Sequence, residues 1–396
     1  MPQALFCASN CWESFAHVGS HHLAVGLARH GWRVAFVSDP VSPLHLVGGL
    51  SPELRARFAL WASGGQWVQE NIWTWLPGVP ISPHNKPLLR TEAVQRHWYR
   101  LAVPSLISRM RKAGFDGFDL VYVDSLPQAY WWRGLKYCKS LFRMADNPVG
   151  FLKHTPAAQS ALSNLVAHVD IVAYTAENLG PLVDALGAKQ TLFLPNGVDY
   201  DHFAIPAPRP AEYEGLGSIV LYMGTIEEWF NFEWVRHAAR ALPGHTFVLV
   251  GSDSLARQRL GNLPNVRILG PRPFSALPAY VQHASVGIIP FDVSNCGALV
   301  HAVNPIKLYE YMAAGLPVVS TRWDLLEQLQ SPAVLVDDAE CFVNAIAAAP
   351  KPPLPESRAF ASGCIWEKRV DTLLRALRLE DPDGFCRTDS LAEPRQ

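Results

Sequence analysis

The sequence predicts two consecutive α/β domains, each a doubly wound and mainly parallel sheet, facing one another across a cleft. Three observations carry that prediction. The chain has 396 residues, enough for two domains at roughly 150 residues each. Its first forty residues read as buried strand, helix and buried strand, the βαβ unit that seeds a parallel sheet. The same pattern starts afresh at Ser218, after a stretch broken by prolines.

Taken in order, Ala4 to Ala8 is a short apolar run, and a polar loop follows from Ser9 to Ser20. Leu23 and Leu27 then recur at helical spacing until Gly31, a plausible stop. Trp32 to Val37 is a second strand, ending at Asp39-Pro40. Further strands are predicted at Leu120–Asp124, Ser140–Met144 and Ile171–Tyr174, and the turn from Leu192 to Asp199 closes the first half. Pro206, Pro208 and Pro210 mark 204–217 as a linker. Beyond it come strands at Ser218–Met223, Thr246–Val250, Val266–Leu269, Val286–Pro290 and Pro317–Ser320. The glycines 224, 251 and 270 follow three of them. The expected domains are therefore 1–203 and 218–379, with a polar tail over 380–396.

Composition narrows the function classes. Hydrophobic residues make up 49% and charged ones 17%, with a formal net charge of −1. Such a chain has ample core, and it lacks the basic excess that nucleic-acid binding requires. The seven cysteines show no CxxC pair or zinc-type spacing, which suits reduced thiols in a cytoplasmic protein. No metal is expected. The N-terminus lacks the charged start and apolar run of a secretory leader, and no apolar run approaches the ~20 residues of a membrane span.

The most informative segment is Asn304-Pro305-Ile306-Lys307-Leu308-Tyr309-Glu310, continuing through Gly315 to Pro317-Val318-Val319-Ser320. Asn304 suits an N-cap and Pro305 a first helical position. A helix start with a lysine in its first turn suits a diphosphate. Glu310, one turn on, is placed to accept hydrogen bonds from ribose hydroxyls. The competing reading makes Lys307 and Glu310 an ordinary solvated i, i+3 pair.

This block resembles the donor-site signature of glycosyltransferase family 4 (group 1). Other segments resemble the same family in the same order and together cover most of residues 1–375. They are Pro195-Asn196-Gly197-Val198-Asp199 with Phe203, Leu221–Thr225 with Gly224, Asn265–Gly270 through Tyr280, and Trp366-Glu367-Lys368. The resemblance implies the GT-B fold of two Rossmann-like domains. It also implies a nucleotide-sugar donor, used as substrate with no cofactor, on the C-terminal domain. Two departures mark a divergent branch, similar to bacterial polysaccharide and teichuronic-acid transferases and more distantly to the xanthan glucuronosyltransferase. Ala302 stands where the family has a second glutamate, and Ile226-Glu227-Glu228 replaces a basic residue after the glycine turn. Arg272 is the candidate for the missing positive charge.

In the first half, Asp146 follows a predicted strand and matches the catalytic base of the xanthan-type enzyme by position; otherwise it caps a turn before Pro148. Asp124 is the reserve carboxylate. His22 is a catalytic candidate. His21, Trp12 and Glu13 are candidates for the acceptor side, since aromatic faces stack on sugars and a histidine at a helix start can meet a phosphate. The bland alternative for both histidines is packing. Residues 86–143 hold eleven Lys and Arg against four Asp and Glu, with aromatic residues between. That pattern suits an anionic membrane at the inner face of the cell and a lipid-linked acceptor; otherwise it is a solvated helix face over core.

The expected function is therefore sugar transfer from a nucleoside diphosphate sugar, UDP-linked, to a saccharide or lipid-linked acceptor in polysaccharide synthesis. A nucleotide-sugar epimerase of the same fold and a catalytically inactive scaffold are the alternatives.

Overall fold

The computed structural model describes residues 1–83, 88–148 and 155–377. It divides into two compact units, Met1–Leu194 with the chain from Val370 onward, and Pro195–Arg369. Both are α/β sheets of the expected class.

The first unit carries β1 (Gln3–Ala8), β2 (Arg33–Ser38), β3 (Gln66–Gln69), β4 (Ile72–Trp75), β5 (Phe118–Val123), β6 (Tyr137–Met144), β7 (Ile171–Tyr174) and β8 (Thr191–Phe193). Their order in the sheet is β3-β4-β2-β1-β5-β6-β7-β8, and β3 alone runs antiparallel to its neighbour. Strand order reverses between β1 and β5. Strands covered on both faces must be apolar throughout, and β1 is buried from Ala4 to Ala8. β3 lies at the edge, where two glutamines are exposed, and polar side chains there discourage pairing with another chain. β3 and β4 were not foreseen, because two four-residue strands give too short a period to read.

The second unit carries β9 (Ser218–Gly224), β10 (His245–Gly251), β11 (Val266–Gly270), β12 (Val286–Ile289), β13 (Val318–Thr321) and β14 (Val334–Val336), ordered β11-β10-β9-β12-β13-β14 and all parallel. Counted from β9, this is the 3-2-1-4-5-6 order of dinucleotide-binding sheets. Its switch point lies between β9 and β12.

The segment 204–217, expected to be a linker, packs within the second unit. Phe203 and Tyr213 are fully buried. The Gln282 amide donates to the carbonyls of Phe203 and Ile205 at 2.8 and 2.6 Å, and its oxygen accepts the Ala207 N–H at 2.8 Å. Proline breaks periodicity without abolishing packing, so the division falls instead at Leu194/Pro195. From Val370 the C-terminal helix Trp366–Ala376 counts with the first unit, where Val370 abuts Gly26. The expected tail from 380 lies outside the described residues.

Residues 88–143 are not the continuous basic amphipathic surface that the composition suggested. Trp98, Leu106, Trp131 and Trp132 are core side chains. Arg109 donates to the carbonyls of Gly64 and Ser63, Arg133 to that of Asn164, and Arg143 is buried. The alternation records the inside and outside of short packed helices. Lys86 lies outside the described residues. Among the described residues no helix is long and apolar enough to cross a membrane, and no cluster of His, Cys, Asp and Glu could hold a metal ion.

Candidate active site

In an open α/β sheet, ligands gather beyond the carboxyl ends of the strands at the switch point. In the second unit those ends are Gly224 on β9 and the residues after Ile289 on β12. Gly224 pairs with Gly251 across β9 and β10, and both have positive φ, +134° and +144°. A Cβ at Gly251 would collide with the Gly224 carbonyl, and one at Gly224 would lie 3.0 Å from Lys307 Cε. Glycine at these two positions lets two strand ends and a lysine share one space.

Lys307 reaches that place from the helix Ile306–Ala313. Its ammonium lies 5.3 Å from the Tyr222 ring centroid and 4.9 Å from that of Phe291, rings supplied by β9 and by the residues after β12. The aromatic faces hold the cation at the switch point. The helix is pinned to β9 by the Tyr311 hydroxyl, which accepts the Met223 N–H at 2.7 Å. It ends as expected at Gly315, with φ +81°.

Two details differ from expectation. The helix opens one residue later, so Pro305 is the N-cap and Asn304 precedes it, and no side chain caps the start. Asn304 instead accepts the Tyr309 hydroxyl through Oδ1 at 2.8 Å, and its carbonyl accepts Asn196 Nδ2 at 2.6 Å. Asn304 thus ties the 195–197 turn to the helix rather than capping it. Arg272 is a clear correction. It donates to Glu212 (3.0 Å), the Tyr280 hydroxyl (3.0 Å) and the Leu269 carbonyl (2.7 Å). An arginine committed to a carboxylate and a phenol is the hinge of a structural network, not spare charge for a phosphate.

Glu310 is only 6% exposed, yet its carboxylate hydrogen-bonds nothing among the described residues. Burial pushes its pKa up to about 7, against the opposing pull of Lys307.

In the first unit, three carboxylates stand along the carboxyl edge of the sheet, Asp39 after β2, Asp124 after β5 and Asp146 after β6. Asp124 accepts the Ser9 N–H at 2.8 Å, lies 3.5 Å from the Tyr122 hydroxyl, and donates its own N–H to Cys7. Burial raises its pKa, opposed chiefly by the Ser9 amide. It latches the β1–β5 junction, with Oδ1 on the Ser9 amide and Oδ2 towards the Tyr122 hydroxyl. Asp146 is half-buried two residues past β6, as expected, and Thr175 Oγ1 fixes the preceding Ala145 carbonyl at 2.6 Å. Asp39 was missed. Ser125 Oγ and Gln128 Nε2 donate to its Oδ1 at 2.5 and 3.1 Å, and burial pushes its pKa up to about 7. Asp39-Pro40 had been read only as a strand stop.

His21 is also corrected. It is 1% exposed; Nδ1 accepts the Val18 N–H at 3.2 Å and Nε2 contacts the Cys11 carbonyl at 3.1 Å. Burial, then the neighbouring His17, pushes its pKa down to about 3. A neutral imidazole with both nitrogens used caps its helix and cannot meet an acceptor. His22 is half-buried in the same turn and stays the histidine candidate. Trp12 is half-buried, its ring 5.5 Å from His21 and 5.1 Å from Phe36. Exposed Glu13 accepts from Gln66 Nε2 at 2.8 Å and from the Cys11 thiol at 3.0 Å, tying the loop to β3.

Comparison with known proteins agrees with this geometry. Residues 6–175 match the family model of the glucuronosyltransferase GumK N-terminal domain, and residues 217–349 match that of the group 1 glycosyl transferases. TuaH of Bacillus subtilis (strain 168), assigned as a teichuronic acid biosynthesis glycosyltransferase, is 32% identical over 186 residues. These are 44% of this chain and 46% of TuaH, so the match spans under half of that relative. Sucrose-phosphate synthase from Thermosynechococcus elongatus superposes with a TM-score of 0.63 at 18% identity, over 95% of this chain and 96% of its own. HepE of Anabaena, solved with UDP and glucose, gives 0.62 at 14% identity, over 95% and 99%. At those identities the two structures establish the fold. The fold is accordingly GT-B, and the two halves of the chain are similar to the GumK N-terminal domain and to the group 1 glycosyl transferases respectively.

Proposed function

We propose that this protein transfers a sugar from a UDP-linked donor to a saccharide or lipid-linked acceptor in cell-surface polysaccharide synthesis, at the inner face of the membrane. The observation that carries the reading is the grouping of Gly224, Lys307 and Glu310 at the switch point of the second sheet. Lys307 and the uncapped helix start meet the diphosphate, and Glu310 accepts the ribose hydroxyls. HepE, of the same fold, is solved with UDP, and the name of TuaH assigns that relative to teichuronic acid biosynthesis.

In the reaction, the bond from the sugar C1 to the diphosphate oxygen breaks as the acceptor oxygen bonds to C1. Charge grows on the departing UDP, and Lys307 stabilises it where it develops. Asp146 is the base that takes the acceptor proton in this scheme, and His22 is the second catalytic candidate. Trp12, next to Phe36 and half-buried, offers a sugar-stacking face. A lysine and a helix start supply the positive charge that other transferases take from a metal, so no metal cofactor is required in this scheme.

Calorimetric titration with UDP and with GDP tests the assignment. UDP binding that disappears in Lys307→Ala supports it. If neither nucleotide binds, the donor site fails and an inactive scaffold of the same fold becomes the better reading.

A further inference from the structure

The helix that carries Lys307 opens without a cap of its own. Pro305 has no N–H to offer, no side chain caps the first turn, and the Ile306 N–H meets no acceptor among the described residues. A helix end left in that state frays. Here the two carbonyls just before it are held from outside by buried side chains. Trp323 Nε1 donates to the Val303 carbonyl at 3.1 Å, and Asn196 Nδ2 to the Asn304 carbonyl at 2.6 Å. The Tyr309 hydroxyl, from one turn up the same helix, donates to Asn304 Oδ1 at 2.8 Å. Trp323, Asn196 and Tyr309 are all buried.

The anchors are themselves fixed. Trp323 follows β13, and its ring stacks on Phe291 with centroids 5.4 Å apart and 25° between the planes. Phe291 is the ring that faces the Lys307 ammonium at 4.9 Å, and its N–H donates to Thr321 Oγ1 at 3.1 Å. One indole therefore braces both the seat of the ammonium and the backbone just ahead of that lysine. Asn196 lies in a turn locked to the segment 364–369. The Val198 N–H donates to the Cys364 carbonyl at 2.9 Å, the Trp366 N–H to the Val198 carbonyl at 3.1 Å, and Arg369 Nε to the Asn196 carbonyl at 3.2 Å. A Cβ at Gly197 would stand 2.9 Å from the Cys364 carbonyl oxygen, so only glycine lets the turn come so close. All of these residues belong to the second unit. A charged group acts on a reacting atom at full strength only when its supports are themselves packed and bonded.

We propose that Trp323 and Asn196, with Tyr309 on the Asn304 side chain, are positioning residues for the leaving diphosphate. By fixing residues 303 and 304 they hold the helix start and the Lys307 ammonium where charge develops on the departing UDP. This rests on the donor-site reading proposed above. Glu310, the ribose contact in that reading, adjoins Tyr311, which pins the helix to β9 at Met223. Loosening the helix start therefore disturbs the phosphate contacts and spares the nucleoside.

The test compares dissociation constants for UDP and for uridine in the full chain, as wild type, Trp323→Phe, Asn196→Asp and Tyr309→Phe, with a melting temperature for each. Trp323→Phe keeps a ring against Phe291 and deletes the indole N–H. Asn196→Asp is isosteric and sets an oxygen against the Asn304 carbonyl. Tyr309→Phe removes a single oxygen, the mildest change, and serves if either of the others fails to fold. Each variant should bind UDP about three- to tenfold more weakly, the loss of one hydrogen bond, and uridine within twofold of wild type. A lower melting temperature with an unchanged ratio of the two constants means that these bonds only support the fold, and overturns the proposal. UDP affinity within twofold of wild type in the folded variants overturns it too, while the donor site itself stands. A wild type that binds UDP no tighter than uridine overturns the diphosphate reading and this inference with it.

Discussion

Replacing Lys307 by alanine removes the ammonium held between the Tyr222 and Phe291 rings at the switch point of the second sheet. A hydrogen bond to a charged group contributes about 1.5–3 kcal/mol, so UDP should bind roughly ten- to a hundredfold more weakly. Gly224 provides an internal control. A Cβ there would stand 3.0 Å from Lys307 Cε and 3.3 Å from Nζ, on a backbone with φ +134°. Gly224→Ala should therefore weaken UDP in two ways, through backbone strain of about 1–3 kcal/mol and by displacing the lysine. Only the second route depends on Lys307, so Gly224→Ala should cost less affinity in the Lys307→Ala background. The two changes are then non-additive by about 1 kcal/mol, measured as a double-mutant cycle of calorimetric UDP dissociation constants. A dissociation constant within twofold of wild type in folded Lys307→Ala would refute the phosphate assignment. Strict additivity would refute the steric link between glycine and lysine.

Glu310→Gln should flatten the pH dependence of stability. Because the folded pKa is raised from 4.5 to about 7, the native state holds a proton that the unfolded chain releases. Wild-type stability therefore falls as pH rises from 4.5 through 7, by on the order of 3 kcal/mol. The melting temperature of the variant relative to wild type should be higher at pH 8 than at pH 5, and an unchanged difference counts against that burial. Asp146→Asn should keep UDP affinity and lose transfer, and near-normal turnover of a UDP-sugar would sink its role as base. Arg272→Ala should lower stability by about 1–2 kcal/mol through the loss of Glu212 and Tyr280, with UDP affinity within twofold. A tenfold loss of UDP affinity in that variant would restore Arg272 to the donor site.

The row of carboxylates on the first sheet shows why position alone does not name a catalytic group. Asp39, Asp124 and Asp146 each follow a parallel strand, where ligands are expected. Asp124 already accepts the Ser9 amide and closes the β1–β5 junction. One oxygen of Asp39 is anchored by Ser125 and Gln128, and Gln128 is itself buried and bonded to the carbonyls of Ala8 and Val37. The same residue type at the same kind of strand end thus meets different donors at each position, and those donors decide which proton chemistry is open to it.

The sequence by itself determined the fold class and most strands, because parallel strands covered on both faces must be continuous apolar runs. It also determined that Lys307 and Glu310 stand together, since a lysine and a glutamate one turn apart on one helix share a face whatever the rest of the chain does. Everything that depended on distant partners was decided by tertiary structure. Arg272 was spare charge until Glu212, sixty residues earlier, came to meet it. His21 was a candidate until Val18 and Cys11 took both its nitrogens. The aromatic residues of 88–143 suggested a surface, yet Trp98, Trp131 and Trp132 pack into core. Local pattern fixes which elements form; the commitment of each polar and apolar group depends on neighbours that the chain brings together only by folding.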